Sequence, residues 1–424
     1  MFAMYKKSVL HNGLKVIIAP MKGTRAVTLL ILVGTGSRYE SEQLNGITHF
    51  LEHMFFRGTS KRASAKIISE TIDRVGGELN AYTSEESTGF FIHLASPHLE
   101  LALDVLSDML LKSKFEREEI QKEKGVILEE INMHQDKPDV QVANIYKSLL
   151  YGNQPLGWEV VGKKEVIRNI DREKLLAYRE KNFSPNSTVV SIAGDVQPGK
   201  TSALVKKYWG RWKNRKRPSY LPLEEKQPVA ATNLQYRKTD QAYLCLGVRT
   251  FAYEHPDYYV LRVLNMILGG MLSSRLFVRL REEEGIVYSV DSLRESYLDG
   301  GNLRVNAGVE ISKTETAVIA ILEEFKKMRQ EIVVGEELQK AKEYLKGRLA
   351  LELELSPGVA GFLGHQELLL GKIKLPEEQI KEIEKVTSRA IKRVAQEIFI
   401  KEHLNLAVVG PFRDKGKFLK LLKF

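Results

Sequence analysis

One stretch decides how this sequence is interpreted: Gly46-Ile47-Thr48-His49-Phe50-Leu51-Glu52-His53-Met54-Phe55-Phe56-Arg57-Gly58-Thr59. It contains no proline, good helix formers fill its interior, and a glycine stands near each end, which predicts a short helix. His49 and His53 are four residues apart, so they lie one turn above each other on one face. Two imidazoles at that spacing can hold one metal ion, and Glu52 can reach the same side. The order H-x-x-E-H inverts the H-E-x-x-H zinc helix.

These residue types suit metal-assisted hydrolysis. Zinc held by neutral imidazoles keeps its charge and lowers the pKa of a bound water towards neutrality. A carboxylate beside that water but off the metal, here Glu52, can act as a general base. The motif alone does not prove a site, because it arises by chance on the order of a few times in a hundred in a chain with 9 histidines among 424 residues. A third ligand is needed.

The composition indicates a soluble protein of several domains. The chain is 43% hydrophobic, which is enough for about two to four domains with real cores. No apolar run approaches the ~20 residues of a membrane span. Met1 to Lys7 has neither the apolar core of a signal peptide nor the character of a transit peptide, so we expect a cytoplasmic protein without a membrane partner. The single cysteine, Cys245, excludes an intramolecular disulfide and a cysteine-based zinc site.

The net charge of +10 raises the question of a nucleic-acid partner. The densest basic run, Lys206 to Arg217, is short, contains Trp209 and Trp212, and ends at a proline. That pattern is typical of a solvated helix end followed by a linker. No nucleic-acid-binding module is recognisable, so we expect no nucleic-acid partner.

The two halves of the chain repeat one plan of strands and helices. The strand from Ala26 matches the strand from Ala242 at an offset of 216 residues (242 − 26), and the closing strands that end at Gly194 and Gly410 give the same offset. Between them, 211–233 carries three prolines, many charges and few apolar residues, which predicts a linker. We therefore predict an α+β fold of two homologous domains, each an antiparallel-rich sheet covered by helices: a metal-binding domain at 1–210, the linker at 211–233 and a metal-free domain at 234–424.

A third metal ligand can come from the long charged helix predicted from Phe115 to about Gln135. Its glutamates are Glu116, Glu118, Glu119, Glu123, Glu129 and Glu130. Glu123 and Glu130 are two turns apart on one face with Ile127, which makes that face a candidate for partial burial. A solvated helix face is the ordinary setting for each of these glutamates, so the residues alone leave the choice open.

Three spaced motifs carry a resemblance to a known family: the stretch from His49 to Thr59, Leu79-Asn80-Ala81-Tyr82-Thr83-Ser84, and Val126-Ile127-Leu128-Glu129-Glu130. They resemble the M16 (pitrilysin) family of zinc peptidases, and more closely its subfamily of short chains, which includes mitochondrial processing peptidase and bacterial relatives. The resemblance covers essentially the whole chain. The family spacing selects Glu130 over Glu129, so it implies one Zn²⁺ per chain held by His49, His53 and Glu130. It also implies Glu52 as the base and Glu123 as a supporting carboxylate.

The resemblance implies roles for two further elements. Asn80, Ala81, Tyr82 and Thr83 would form an edge strand beside the metal, to which an extended peptide adds as a further strand. In the second domain, Leu280-Arg281-Glu282-Glu283-Glu284-Gly285-Ile286-Val287-Tyr288-Ser289-Val290 matches the Arg/Tyr element of the family. Arg281 and Tyr288 would stabilise the oxyanion at the scissile carbonyl. On the residues alone, Arg281 is a solvated side chain and Tyr288 a core aromatic.

The implied function is that of a zinc endopeptidase that cleaves peptides or unfolded segments inside a dimeric clamshell. Larger relatives join two such halves in one chain, so the resemblance implies a homodimer here. Arg281 and Tyr288 of one copy would then meet the zinc of the other. The alternative is a non-catalytic subunit, or an obligate heteromer that is inactive without an unlike partner. Non-catalytic members usually lose Glu52 or a ligand, whereas this sequence keeps the whole set.

Overall fold

The computed structural model describes residues 5–423. The strands are β1 (Lys6–Val9), β2 (Lys15–Pro20), β3 (Ala26–Val33), β4 (Glu78–Thr83), β5 (Thr88–Ala95), β6 (Thr188–Gly194), β7 (Ala231–Tyr236), β8 (Gln241–Thr250), β9 (Val287–Ser296), β10 (Gly301–Glu310) and β11 (Asn405–Gly410).

The helices of the first half are α1 (Ile47–Phe55), α2 (Ala65–Asp73), α3 (Leu99–Lys112), α4 (Arg117–Asp136), α5 (Pro138–Tyr151), α6 (Lys164–Asn169), α7 (Arg172–Asn182) and α8 (Pro198–Trp209). Those of the second half are α9 (Tyr258–Leu268), α10 (Thr314–Gln330), α11 (Gly335–Leu353), α12 (Ser356–Leu370), α13 (Pro376–Glu384), α14 (Ser388–Ile398) and α15 (Lys415–Leu421). Among residues 5–423, no helix is both long enough and apolar enough to span a bilayer.

The strands form two sheets that follow one plan. Their orders are β1-β2-β6-β3-β5-β4 and β7-β11-β8-β10-β9. Apart from β1, each sheet begins with a parallel pair, β2 with β6 and β7 with β11. The remaining neighbours are antiparallel, and each sheet ends in a hairpin whose outer strand is β4 or β9. The shared order confirms the predicted α+β fold of two homologous domains.

The first compact unit contains residues 5–131, Glu159–Leu221 and Leu349–Leu375. Its central strand β3 is apolar on both faces, as expected for a strand covered on both sides. Val27, Leu29 and Ile31 pack with α1 and α3 in one cluster, while Leu30 and Leu32 pack with α12 in another. The approach of α12 is close, because a side chain at Gly364 would come within 2.8 Å of Leu32.

The second compact unit contains residues 132–158, Pro222–Arg348 and 376–423. Leu244, Leu246 and Val248 of β8 face a cluster that includes α9, α10 and α14. On the other face, Tyr243 and Cys245 pack with α5. This sheet is therefore also covered on both sides.

The compact units are not contiguous in sequence, whereas the predicted domains are. The change from one unit to the other near residue 221 falls inside the predicted linker at 211–233, and β7 begins within its last three residues. However, α5 comes from 1–210 and belongs to the second unit, while α12 comes from 234–424 and belongs to the first. Each half of the chain thus supplies one covering helix to the sheet of the other half.

Candidate metal centre

Helix α1 starts at a tightly packed glycine. Gly46 has φ +96°, in the left-handed region, and a side chain there would come within 2.8 Å of the main chain of Val161 and Gly162. The carboxylate of Glu40 accepts the N–H groups of Gly46 at 2.7 Å and Thr48 at 2.8 Å, which places negative charge at the helix N-terminus. Burial raises the pKa of Glu40 to about 7, although these hydrogen bonds lower it. Sequence reasoning missed Glu40, since it lies outside the helix that it caps.

Three side chains from α1 and α4 converge on one point. The Nε2 atoms of His49 and His53 are 3.2 Å apart, and the carboxylate oxygens of Glu130 lie 3.6 Å and 3.5 Å from them. Tetrahedral zinc with bonds of about 2.0–2.2 Å spaces its ligand atoms about 3.3 Å apart. The donor types and their spacing therefore fit a zinc ion. Glu130 belongs to this group, whereas its neighbour Glu129 is exposed.

The ring of His53 is oriented by a buried carboxylate. Its Nδ1 lies 2.7 Å from Oε1 of Glu123. Its Nε2 is therefore directed at His49 and Glu130, which together with His53 form what we call the metal group. Glu123 also forms an ion pair with Arg57. Burial acts to raise the pKa of Glu123, but the hydrogen bonds from His53 and Arg57 outweigh it and lower that pKa. Such an outer carboxylate fixes the tautomer and orientation of a metal-binding histidine.

The charge around the centre favours a cation. Burial acts to lower the pKa of His53, but hydrogen bonds to Glu123 and Glu130 outweigh this and raise it to about 9. A place that attracts a proton so strongly also attracts a metal cation, which would replace the proton on Nε2.

Glu52 lies beside the metal group without belonging to it. Its Oε2 accepts a hydrogen bond of 2.6 Å from the hydroxyl of Thr83 on β4. Burial raises the pKa of Glu52. The charge of Glu130 also acts to raise this pKa, whereas the hydrogen bond from Thr83 and the charge of His53 act to lower it. The contact with Thr83 ties this carboxyl to the edge strand.

Strand β4 is the outer strand of its sheet, so one of its sides is open. Ser84 donates its N–H across the hairpin, and inward and outward main-chain groups alternate in an antiparallel ladder. Ala81 and Thr83 therefore turn their main-chain groups to the open edge, while Asn80 and Tyr82 turn theirs towards β5. The outward N–H of Ala81 donates to Oδ1 of Asn80 at 2.8 Å. Two of the four residues predicted to bind substrate thus turn main-chain groups to the open edge.

Arg281 and Tyr288 come together in the second unit. Arg281 lies in a π-helical segment, Phe277–Glu283, and Tyr288 lies on β9. The guanidinium carbon of Arg281 is 5.7 Å from the Tyr288 ring centroid and 5.1 Å from that of Phe277. Tyr288 is 73% exposed, so it is not the core aromatic that its sequence context alone indicates. The π-helical turn has no sequence signal, but such turns often occur at functional sites.

The comparisons with known proteins agree with the motifs. Residues 15–164 match the family model described as insulinase (peptidase family M16), and residues 169–345 match the peptidase M16 inactive domain. An uncharacterized zinc protease of Bacillus subtilis, YmxG, is 36% identical over 96% of this chain and 98% of its own. The uncharacterized zinc protease ML0855 of Mycobacterium leprae is 33% identical over 98% of this chain and 94% of its own.

The fold agrees with a solved structure as well. The crystal structure of a protease from Helicobacter pylori has a TM-score of 0.91 at 23% identity, and the match covers 97% of this chain and 100% of that one. This likeness concerns the fold, while the sequence matches identify the family. The resemblance read from the three motifs is confirmed: this chain belongs to peptidase family M16.

Proposed function

We propose that this chain is a zinc-dependent endopeptidase that cleaves peptides or unfolded segments bound as an added strand along β4. One observation carries the proposal. Three donor atoms converge at zinc spacing, and a fourth side chain, Glu52, lies beside them and is hydrogen-bonded to the edge strand. This arrangement supports the proposal, because the three donor atoms, the Glu52 carboxylate and the open edge strand lie close together.

The residues of α1 and α4 have different roles in this proposal. His49, His53 and Glu130 would hold the ion, which when bound acts as a Lewis acid and lowers the pKa of water. Glu123 keeps the His53 ring in position. Oε2 of Glu52 accepts the hydrogen bond from Thr83, which holds the carboxylate in place, and this carboxylate would take a proton from the attacking water and return it to the leaving amine.

The open edge of β4 sets the kind of substrate. Ala81 and Thr83 can pair with the main chain of an extended peptide whatever its sequence, and only an unfolded segment can lie along the edge. Folded proteins should therefore be poor substrates. By the family resemblance, Arg281 and Tyr288 would stabilise the oxyanion.

The first experiment compares Glu52→Gln with Glu129→Gln. Glu52→Gln should retain about one zinc per chain and lose about 10²–10⁴-fold in kcat on a quenched fluorescent peptide, because only the base is removed. Glu129→Gln makes the same chemical change in the same region and should leave both quantities unchanged. If Glu52→Gln loses its zinc, the assigned roles are wrong. A wild-type chain that holds zinc but cleaves no peptide would favour the non-catalytic alternative.

We further propose that the chain works as a homodimer in which Arg281 and Tyr288 of one copy complete the site of the other. Glu52→Gln and Arg281→Ala proteins should each be nearly inactive alone. In a mixed dimer, one site then combines an intact Glu52 with an intact Arg281 from the other copy, so activity should reappear on mixing. Tagged subunits report whether the chains exchange. No recovery despite exchange would refute sites shared between copies, and activity that needs an unlike protein would favour the heteromer.

A further inference from the structure

Tyr82 differs from its neighbours on β4. Its main chain faces β5 rather than the open edge, so it cannot pair with an added peptide strand. Its side chain lies on the face of the sheet opposite Glu52, in the cluster that contains α12. The ring lies over Gly89, its partner in the ladder, where any side-chain carbon would overlap the ring. Because residue 89 is a glycine, the space above it is free for the Tyr82 ring to extend towards α12.

The Tyr82 hydroxyl ends at a histidine of α12. It lies 2.9 Å from Nε2 of His365, and Nδ1 of His365 lies 2.9 Å from the carbonyl oxygen of Gly361. A carbonyl only accepts, so Nδ1–H donates to Gly361 and Nε2 accepts the proton of the Tyr82 hydroxyl. Burial raises the pKa of Tyr82 and lowers that of His365, which keeps both groups in the neutral forms that this hydrogen bond requires.

Helix α12 is a firm anchor for this contact. Glu367 is fully buried and pairs with Lys7 at 2.6 Å and Lys15 at 2.9 Å. Nearer the start of the helix, the hydroxyl of Ser356 lies 2.8 Å from that of Thr28 on β3. Charged and polar contacts therefore fix α12 on either side of His365.

An edge strand that binds peptides lacks one restraint on its position, and the contact between Tyr82 and His365 supplies part of it. A strand inside a sheet is held by neighbours on both sides, but β4 must leave one side open for the peptide. Side chains have to supply the missing restraint, and they do so on both faces: Thr83 bonds to Glu52 on one face and Tyr82 bonds to His365 on the other.

We propose that His365 is a positioning residue for peptide binding. Through the hydroxyl of Tyr82 it holds β4 where Ala81 and Thr83 can pair with the substrate. The inference rests on the proposed function, and it assigns a role in the metal-bearing unit to a helix from the second half of the chain.

The test uses the full chain with its zinc. Tyr82→Phe removes one hydroxyl and keeps the ring, and His365→Phe removes the acceptor. Each should raise KM about fivefold, as expected for one lost hydrogen bond, while kcat changes by less than about twofold and zinc content stays the same. Tyr82→Phe/His365→Phe should raise KM no further than the single variants, because both remove the same contact. His365→Gln keeps an acceptor and should recover part of the loss.

The matched control is Tyr208→Phe, which removes a hydroxyl that bonds to Glu100 at 3.1 Å on α3 of the same unit. It should leave KM unchanged. An unchanged KM in Tyr82→Phe, or additive effects in the double variant, would overturn the proposal. A lower kcat together with a lower thermal stability, at an unchanged KM, would also overturn it, since this combination indicates a purely structural contact.

A second measurement separates this inference from the proposed function. Hydrogen exchange of the β4 amides should speed up in Tyr82→Phe and His365→Phe, while exchange in β7 stays the same. This result needs no cleavage. A wild-type chain without peptidase activity would refute the proposed function, whereas unchanged exchange in β4 would refute the positioning role.

Discussion

Apart from β1, the two sheets share one strand order, yet the first α-helix after the central strand carries different polar side chains in each. In the first unit this helix is α1, which carries His49 and His53. In the second it is α9, whose buried residues are Val260, Leu261, Val263, Leu264, Asn265, Ile267 and Leu268. The position offset from His49 holds Asn265, whose side-chain oxygen accepts a bond of 2.7 Å from the hydroxyl of Ser292. The position offset from His53 holds Gly269, where α9 has already ended.

This comparison separates what the fold needs from what the chemistry needs. Both sheets require an apolar helix on this face, and α1 and α9 both provide it. Of these two helices, α1 carries the imidazoles of His49 and His53, and α4 brings the carboxylate of Glu130 to meet them. The candidate site therefore consists of a few side chains placed on a duplicated scaffold. Four variants probe that separation.

The largest effect is expected for Glu130→Gln. The change keeps the size of the side chain but removes the anionic ligand, so zinc should be lost from the purified chain. Peptidase activity should fall on the order of a thousandfold. Zinc is measured by atomic absorption and activity with a fluorescent peptide. If Glu129→Gln emptied the site instead, the choice between these neighbours would be wrong.

Glu123→Gln should have a smaller effect on the same centre. It weakens the hydrogen bond that orients His53, and outer carboxylates of this kind contribute about 10–100-fold to metal affinity. Competition with a chelator measures the zinc affinity. Glu324→Gln is the matched control, because Glu324 is also a buried, ion-paired carboxylate but lies in the unit that carries α9. A similar loss of affinity in both variants would show that the effect is general destabilisation.

Ala81→Pro tests the edge strand. Proline removes the outward N–H and restricts φ, so KM should rise about tenfold or more while zinc content stays unchanged. Ala81→Ser keeps the N–H at similar size and serves as the control. The measurement is Michaelis–Menten kinetics on several unrelated peptides. An unchanged KM in Ala81→Pro would contradict the docking of peptides along β4.

The smallest functional effect is expected for Asn265→Ala. It removes a buried hydrogen bond to Ser292 and should cost about 1–3 kcal/mol of stability, measured by urea unfolding. Zinc content and KM should not change. Ser292→Ala should destabilise the chain through the same contact, so the two effects should not add. A loss of zinc in either variant would contradict the division of roles between the sheets.

Local patterns predicted a good part of the fold and of the site. The metal helix, the apolar strand β3 and the 216-residue offset depend on residues close in sequence or on repeated patterns, and all appear in the structure. The choice of Glu130 needed the family resemblance, because glutamates are common on solvated helix faces. A signal for Glu123 was present, since it shares the buried face of α4 with Ile120, Ile127 and Ile131.

Long-range packing could not be predicted. Tyr82 and His365 are 283 residues apart in sequence, and no local pattern joins a strand residue to a histidine on a distant helix. The π-helical turn that carries Arg281 likewise has no recognisable sequence pattern. The exchange of α5 and α12 depends on which apolar faces remain uncovered once the sheets have formed, and this is a property of the folded chain rather than of any segment.

That exchange sets the order in which parts of the first unit become available during synthesis. A product that ended in the linker would contain the first sheet without α12, and the apolar side chains of Leu30, Leu32 and Val189 would face water. A ribosome that has just completed the first half has therefore not yet made the helix that covers that sheet. The first compact unit can therefore finish folding only after residue 375 has left the exit tunnel.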